Sequence, residues 1–108
     1  MDKKTLETMA INAFENAKAA RAELFTAAEK AIYVNMKLEA NKATELASGK
    51  IDGKNAETRE AQLREKLADQ YTELAIQQNA ERAARYHYDV VLLDVDTVKT
   101  LLRIAELS

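Results

Sequence analysis

His87 is the only histidine of this 108-residue chain, and three aspartates, Asp89, Asp94 and Asp96, follow it closely. Such a grouping raises proton transfer or metal binding. A general base or metal ligand on a helix needs a companion one turn away. The positions three and four residues to either side of His87 are Ala83, Ala84, Val90 and Val91, so His87 reads as a structural residue. Asp89 and Asp96 share a helical face but lie two turns apart, too far to hold one ion. A divalent cation would need further ligands from another helix or subunit. The Glu-x-x-His pair of di-iron bundles and the Gly-x-Ser-x-Gly elbow of hydrolases do not occur, and there is no cysteine to act as a nucleophile or zinc ligand. The expectation is a chain without enzymatic activity, metal or cofactor.

A second candidate for chemistry is "SGKIDGKN", Ser48 to Asn55, which holds both glycines, Gly49 and Gly53. A Walker-type phosphate cradle needs four residues between its first glycine and the Gly-Lys pair, followed by Ser or Thr. Here three intervene, and Asn55 follows Lys54. Aligned as a calcium loop with Gly53 at the sixth position, the segment offers Lys50 and Arg59 where acidic ligands belong. Turn chemistry fits better. Gly49 can take the left-handed conformation that ends a helix, with Lys50 beside the negative end of its dipole. Asn55 can cap the next helix, with Glu57 and Glu60 in its first turns.

The elements on either side are then two long helices. Gly costs about 1 kcal/mol and Pro about 3 kcal/mol inside a helix; this chain confines its glycines to one segment and has no proline. The first helix is predicted from about residue 3 to 47, a turn over 48–55, and the second helix from about 56 to 107, in one domain spanning 1–108. Heptad spacing supports this. Leu67, Leu74, Glu81, Tyr88, Val95 and Leu102 recur every seven residues, with Leu63, Gln70, Gln77, Ala84, Val91, Val98 and Ala105 as the complementary position. On the first helix, Leu6, Ala13, Ala20, Ala27 and Val34 pair with Ala10, Ala17, Leu24, Ala31 and Leu38, a seam of small side chains. The fold class is all-α: an antiparallel, coiled-coil-like helical hairpin. "YHYDVVLLDVDTVK", Tyr86 to Lys99, is β-branched and alternates as a strand would, but no second strand exists to pair with it. It is read as helix; a break near Asp94 or Asp96, leaving a short last helix from Thr97, is the alternative.

A fold symmetric about Ile51 would make facing residue numbers sum to about 102 and set Arg21 opposite Glu81. An ion pair there would fix the register. The competing reading pairs Glu81 with Arg85 on its own helix.

Ile11, Phe14, Phe25, Ile32, Met36 and Ala43 form a further stripe beside the alanine seam, which a single partner helix would leave wet. Ordering costs on the order of 1.5 kcal/mol per residue, and one alanine-rich line of contact is a weak offset. The prediction is self-association, most simply a dimer forming a four-helix bundle. The residues expected at its self-association or partner face are Phe14, Phe25, Ile32, Met36, Tyr88, Val91, Val95 and Leu102.

With 16 basic and 18 acidic residues the formal net charge is −2, which offers no general attraction to nucleic acid or anionic lipid. Arg59, Arg64, Lys66, Arg82 and Arg85 are interleaved with acids, as on a solvated face. The N-terminus has acids among its apolar positions, unlike a signal peptide, and the longest strongly apolar run is Val90 to Leu93. A soluble, cytoplasmic protein is expected.

"IDGKNAETREAQLREKLADQY", Ile51 to Tyr71, resembles a stretch in small uncharacterised proteins of tailed bacteriophages and prophages. Those show a Gly-Lys-Asn-Ala turn leading into a charged helix, and are often encoded beside recombination functions. The resemblance implies a viral or prophage protein acting in the host bacterial cytoplasm, with no functional residue carried over. Three function classes stand from the sequence: a scaffold or adaptor with an unknown protein partner, an accessory of DNA recombination or replication that binds nucleic acid weakly, and an inhibitor of a host protein.

Overall fold

The computed structural model describes residues 2–107 and contains three helices: α1 (Lys3–Ala47), α2 (Ala56–Lys66) and α3 (Ala68–Leu107). There is no strand among the described residues. The ends follow from local chemistry. The Asp2 carboxylate accepts the Thr5 N–H at 2.7 Å and starts α1, and Gly49, at φ 78°, ends it. Asn55 is extended at φ −139°, ψ 170°, and its side chain accepts the Thr58 N–H at 2.8 Å, capping α2. Such a cap stabilises by about 1 kcal/mol.

α3 runs unbroken through Tyr86–Lys99. Helical spacing wins there because Val91, Val95 and Val98 come onto one buried face, whereas alternation would split them between two faces of a strand. The hydroxyls of Thr97 and Thr100 reinforce the helix by donating to the carbonyls of Leu93 and Asp96.

The interruption lies instead at Leu67, whose φ −108° and ψ 29° separate α2 from α3. No glycine or proline marks it. The local bonding explains why it is tolerated: the Leu67 N–H still donates to the Leu63 carbonyl at 2.8 Å, and the Leu67 carbonyl still accepts from Gln70 and Tyr71. The helical dihedrals lapse at one residue while the backbone groups around it stay satisfied.

Two compact units are distinguishable. The terminal unit joins α1 up to Thr26 with α3 from Glu81 onward. Its core is Ala10, Ala13, Val95 and Val98, with Met9, Ala17 and Leu102 packed against it. The helices run antiparallel, since Phe14 meets Lys99 while Glu23 meets His87. The turn unit covers residues 27–80, and its core is Leu38, Leu63 and Leu67, with Ile51, Tyr71 and Leu74 around it. Here too the pairing is antiparallel. Asn41 donates to Gln70 at 2.6 Å, and Glu45 lies 2.9 Å from Lys66.

The register is displaced from a fold symmetric about Ile51. Asn41 facing Gln70 and Glu23 facing His87 give totals of 111 and 110 rather than about 102. Arg21 is thereby carried past Glu81, which sits 3.7 Å from Arg85 on its own helix.

Candidate interaction surface

The turn is occupied by its own hydrogen bonds. Gln62, on α2, accepts the Gly53 N–H at 2.9 Å and donates to Asp52 at 2.7 Å, while the Arg59 guanidinium donates to the Gly53 carbonyl at 3.2 Å. A Cβ on Gly53 would stand 2.8 Å from the Arg59 backbone nitrogen. Glycine is required there because the loop folds flat onto the first turns of α2. The Gly53 N–H, a donor that a phosphate would need, is spent on Gln62. Sequence reasoning identified Gly49, Gly53 and Asn55 as turn and cap, but it missed the Gln62 clamp, whose only sequence signal is an amide nine residues beyond the glycine.

Beside the turn, Tyr71 collects charges. Its hydroxyl donates to Glu60 at 2.9 Å, and the Arg64 guanidinium lies 4.7 Å and the Lys42 ammonium 5.8 Å from its ring centre. Burial disfavours the charge on Lys42, but a hydrogen bond to Tyr71 and the charges of Tyr71, Glu39 and Glu60 together hold its pKa above the ordinary lysine value of 10.5. Lys42 also reaches Glu60 at 3.7 Å, across from α1 to α2. The cluster has the chemistry of a helix clasp: cations stacked on a ring and neutralised by neighbouring acids.

In the terminal unit, the Nδ1 atom of His87 stands 3.4 Å from a Glu23 carboxylate oxygen, with both side chains more than half exposed. Sequence reasoning considered only companions on the same helix and missed this one on α1. The pair lies in open solvent, and it links α1 to α3. Among the described residues no group of three or more His, Asp or Glu gathers to hold a metal ion, and no helix is long and apolar enough to cross a membrane.

The residues expected to meet a partner divide in two. Val91 and Val95 are buried within the chain itself, and Leu102 and Tyr88 are partly buried. They belong to the inner seam of α3, and the buried Val91 and Val95 have no surface left for an outer face. Phe25, on the terminal unit, is 65% exposed, and Phe14, about three turns before it, is half covered, with Lys99 over its ring. On the turn unit Ile32 and Met36 are exposed. A further set on α3 was not singled out from the sequence: Tyr86, Val90, Leu93 and Ile104 are all exposed.

Comparison with known proteins finds no family model, no curated protein and no solved structure that matches this chain.

Proposed function

We propose that this chain is a non-enzymatic helical scaffold that associates with itself, most simply as a dimer, and offers its remaining surface to a protein partner. One observation carries the reading. Among the described residues eleven hydrophobic side chains are buried, four of them alanine, while fifteen large hydrophobic ones are exposed. Single exposed apolar residues are ordinary, but a surplus of this kind on helices marks an interaction surface. A core of alanine, valine and a few leucines gives modest burial for the number of residues ordered, and association adds the missing apolar contact.

A balance of 16 basic and 18 acidic residues gives little support to nucleic-acid binding as the main role. Lys18, Lys42, Arg64, Lys66 and Arg85 each face a carboxylate of the same chain, so phosphate would have to displace an existing partner. The likeness of Ile51–Tyr71 to small phage and prophage proteins supports a setting in which such a scaffold serves a viral process inside a bacterium.

Multi-angle light scattering across a dilution series tests the reading. A dimer at micromolar concentration is expected. A mass of one chain at every concentration up to the millimolar range would overturn it.

A further inference from the structure

α3 carries two heptad seams on nearly opposite faces. The inner one, through Val91, Val95, Val98 and Leu102, packs on α1. The outer one, within the terminal unit, runs through Tyr86, Val90, Leu93, Thr97, Thr100 and Ile104, at alternating spacings of four and three residues. That spacing is the coiled-coil signature, and every one of these six positions is exposed. No charged residue interrupts them. The two threonines are compatible with burial because their hydroxyls already donate to the Leu93 and Asp96 carbonyls, so no donor is left unpaired when the seam closes. The stripe on α1 is a poorer surface: between Phe14 and Phe25 it carries Lys18, with a side chain 76% exposed and paired with Glu15.

We infer that the outer seam of α3, from Val90 to Ile104, is the contact between two copies of this chain, and that the two α3 helices cross it antiparallel. The inference rests on the self-association proposed above and names its surface and direction. The charges beside the seam decide both. Asp89, Asp96 and Arg103 flank it on one side, and His87 and Asp94 on the other. In a parallel pair, Asp89 of each copy faces Asp94 of the partner subunit, two like-charge contacts. In an antiparallel pair centred between Thr97 and Thr100, Leu93 packs on Ile104 of the partner subunit, Thr97 on the partner's Thr100, and Asp96 faces the partner's Arg103. A two-fold axis requires one patch to complement itself. Asp96 and Arg103 do so, because they are opposite in sign and one heptad apart. A copy of the same chain is therefore the occupant that the patch itself specifies.

The absence of native cysteine makes the test direct. Leu93→Cys and Ile104→Cys are made separately, one carrying a mass tag, and oxidised alone and as a mixture, with circular dichroism confirming helix content. Expected is a mixed disulfide dimer forming about tenfold faster than either variant with itself, together with about tenfold weaker association of Asp96→Arg and its recovery in Asp96→Arg/Arg103→Asp. Fast self-cross-linking of Leu93→Cys would mean a parallel pair and overturn the inference. Equal slow rates in all three samples, with the unaltered chain still dimeric by light scattering, would place the contact elsewhere and leave self-association standing. A unaltered chain that is monomeric throughout would sink both.

Discussion

Asn41, on α1, donates to the Gln70 side chain, on α3, at 2.6 Å, and this amide pair sets the register of the turn unit. Both residues are polar at a part-buried point where the two helices meet, a placement that trades some stability for one alignment. Asn41→Ala and Gln70→Ala should therefore couple, with an interaction energy of about 1 kcal/mol in a double-mutant cycle read by urea unfolding. Arg21→Ala and Glu81→Ala should add to within about 0.5 kcal/mol, because Glu81 pairs with Arg85. Strong coupling between Arg21 and Glu81 would contradict the register described.

The two turn glycines should respond differently. At Gly49 the difficulty is backbone conformation alone, since nothing lies within 4 Å of an added Cβ. Gly49→Ala should cost about 1–2 kcal/mol, and Gly49→Asn less, because asparagine tolerates the left-handed region. At Gly53 an added Cβ would meet the Arg59 backbone nitrogen and the Gln62 side chain. Gly53→Ala should cost more than Gly49→Ala and displace the loop, seen as faster amide exchange at Gly53.

Acid should weaken the start of α1. The Thr5 backbone N–H and then its side chain hold the Asp2 carboxyl below its ordinary 3.8. A depressed carboxyl contributes stability above its unfolded value, and that contribution is lost as pH falls through the folded value. Asp2→Asn retains a capping side chain, so it should lose part of the acid dependence of unfolding below about pH 4 while leaving stability at neutral pH nearly unchanged.

Alkali should loosen the clasp at Tyr71. The pKa of Lys42 is raised, so its contribution is complete below the unfolded value of 10.5 and is lost as pH rises through the folded one. Lys42→Met, which keeps the stem but not the charge, should flatten that alkaline limb in a pH series of urea midpoints.

The core of the turn unit should be sensitive to lost volume. Leu38 is 2% exposed and packs with Leu63 and Leu67. Leu38→Ala should destabilise by about 2–5 kcal/mol, while the exposed Phe25→Ala should change the stability of the separated chain by no more than about 0.5 kcal/mol.

Much of the fold could be read from the residues. Confining glycine to positions 49 and 53 and omitting proline leaves one place for a turn, and Asn55 marks where the chain resumes its helix. The inner heptad seam of α3 was legible for the same reason, through Val91, Val95 and Val98. The interruption at Leu67 was not, since a leucine carries no conformational signal and the break is tolerated because the Leu67 carbonyl finds donors three and four residues on. The register escaped because small alanines on α1 discriminate poorly between alignments, leaving the choice in the turn unit to less exposed side-chain pairs such as Asn41–Gln70 and Glu45–Lys66. The outer seam of α3 was hidden in plain spacing: Val90 and Val91, or Leu92 and Leu93, are adjacent apolar residues, and only the burial of Val91 shows which seam is already filled.

The loop clamped by Gln62 travels with α2 and not with α1. Its bonds run from Asp52 and Gly53 to Gln62 and Arg59, so every one of them lies on the same side of Gly49. Spreading the two arms apart would swing the chain about residues 48–51 and leave this knuckle whole.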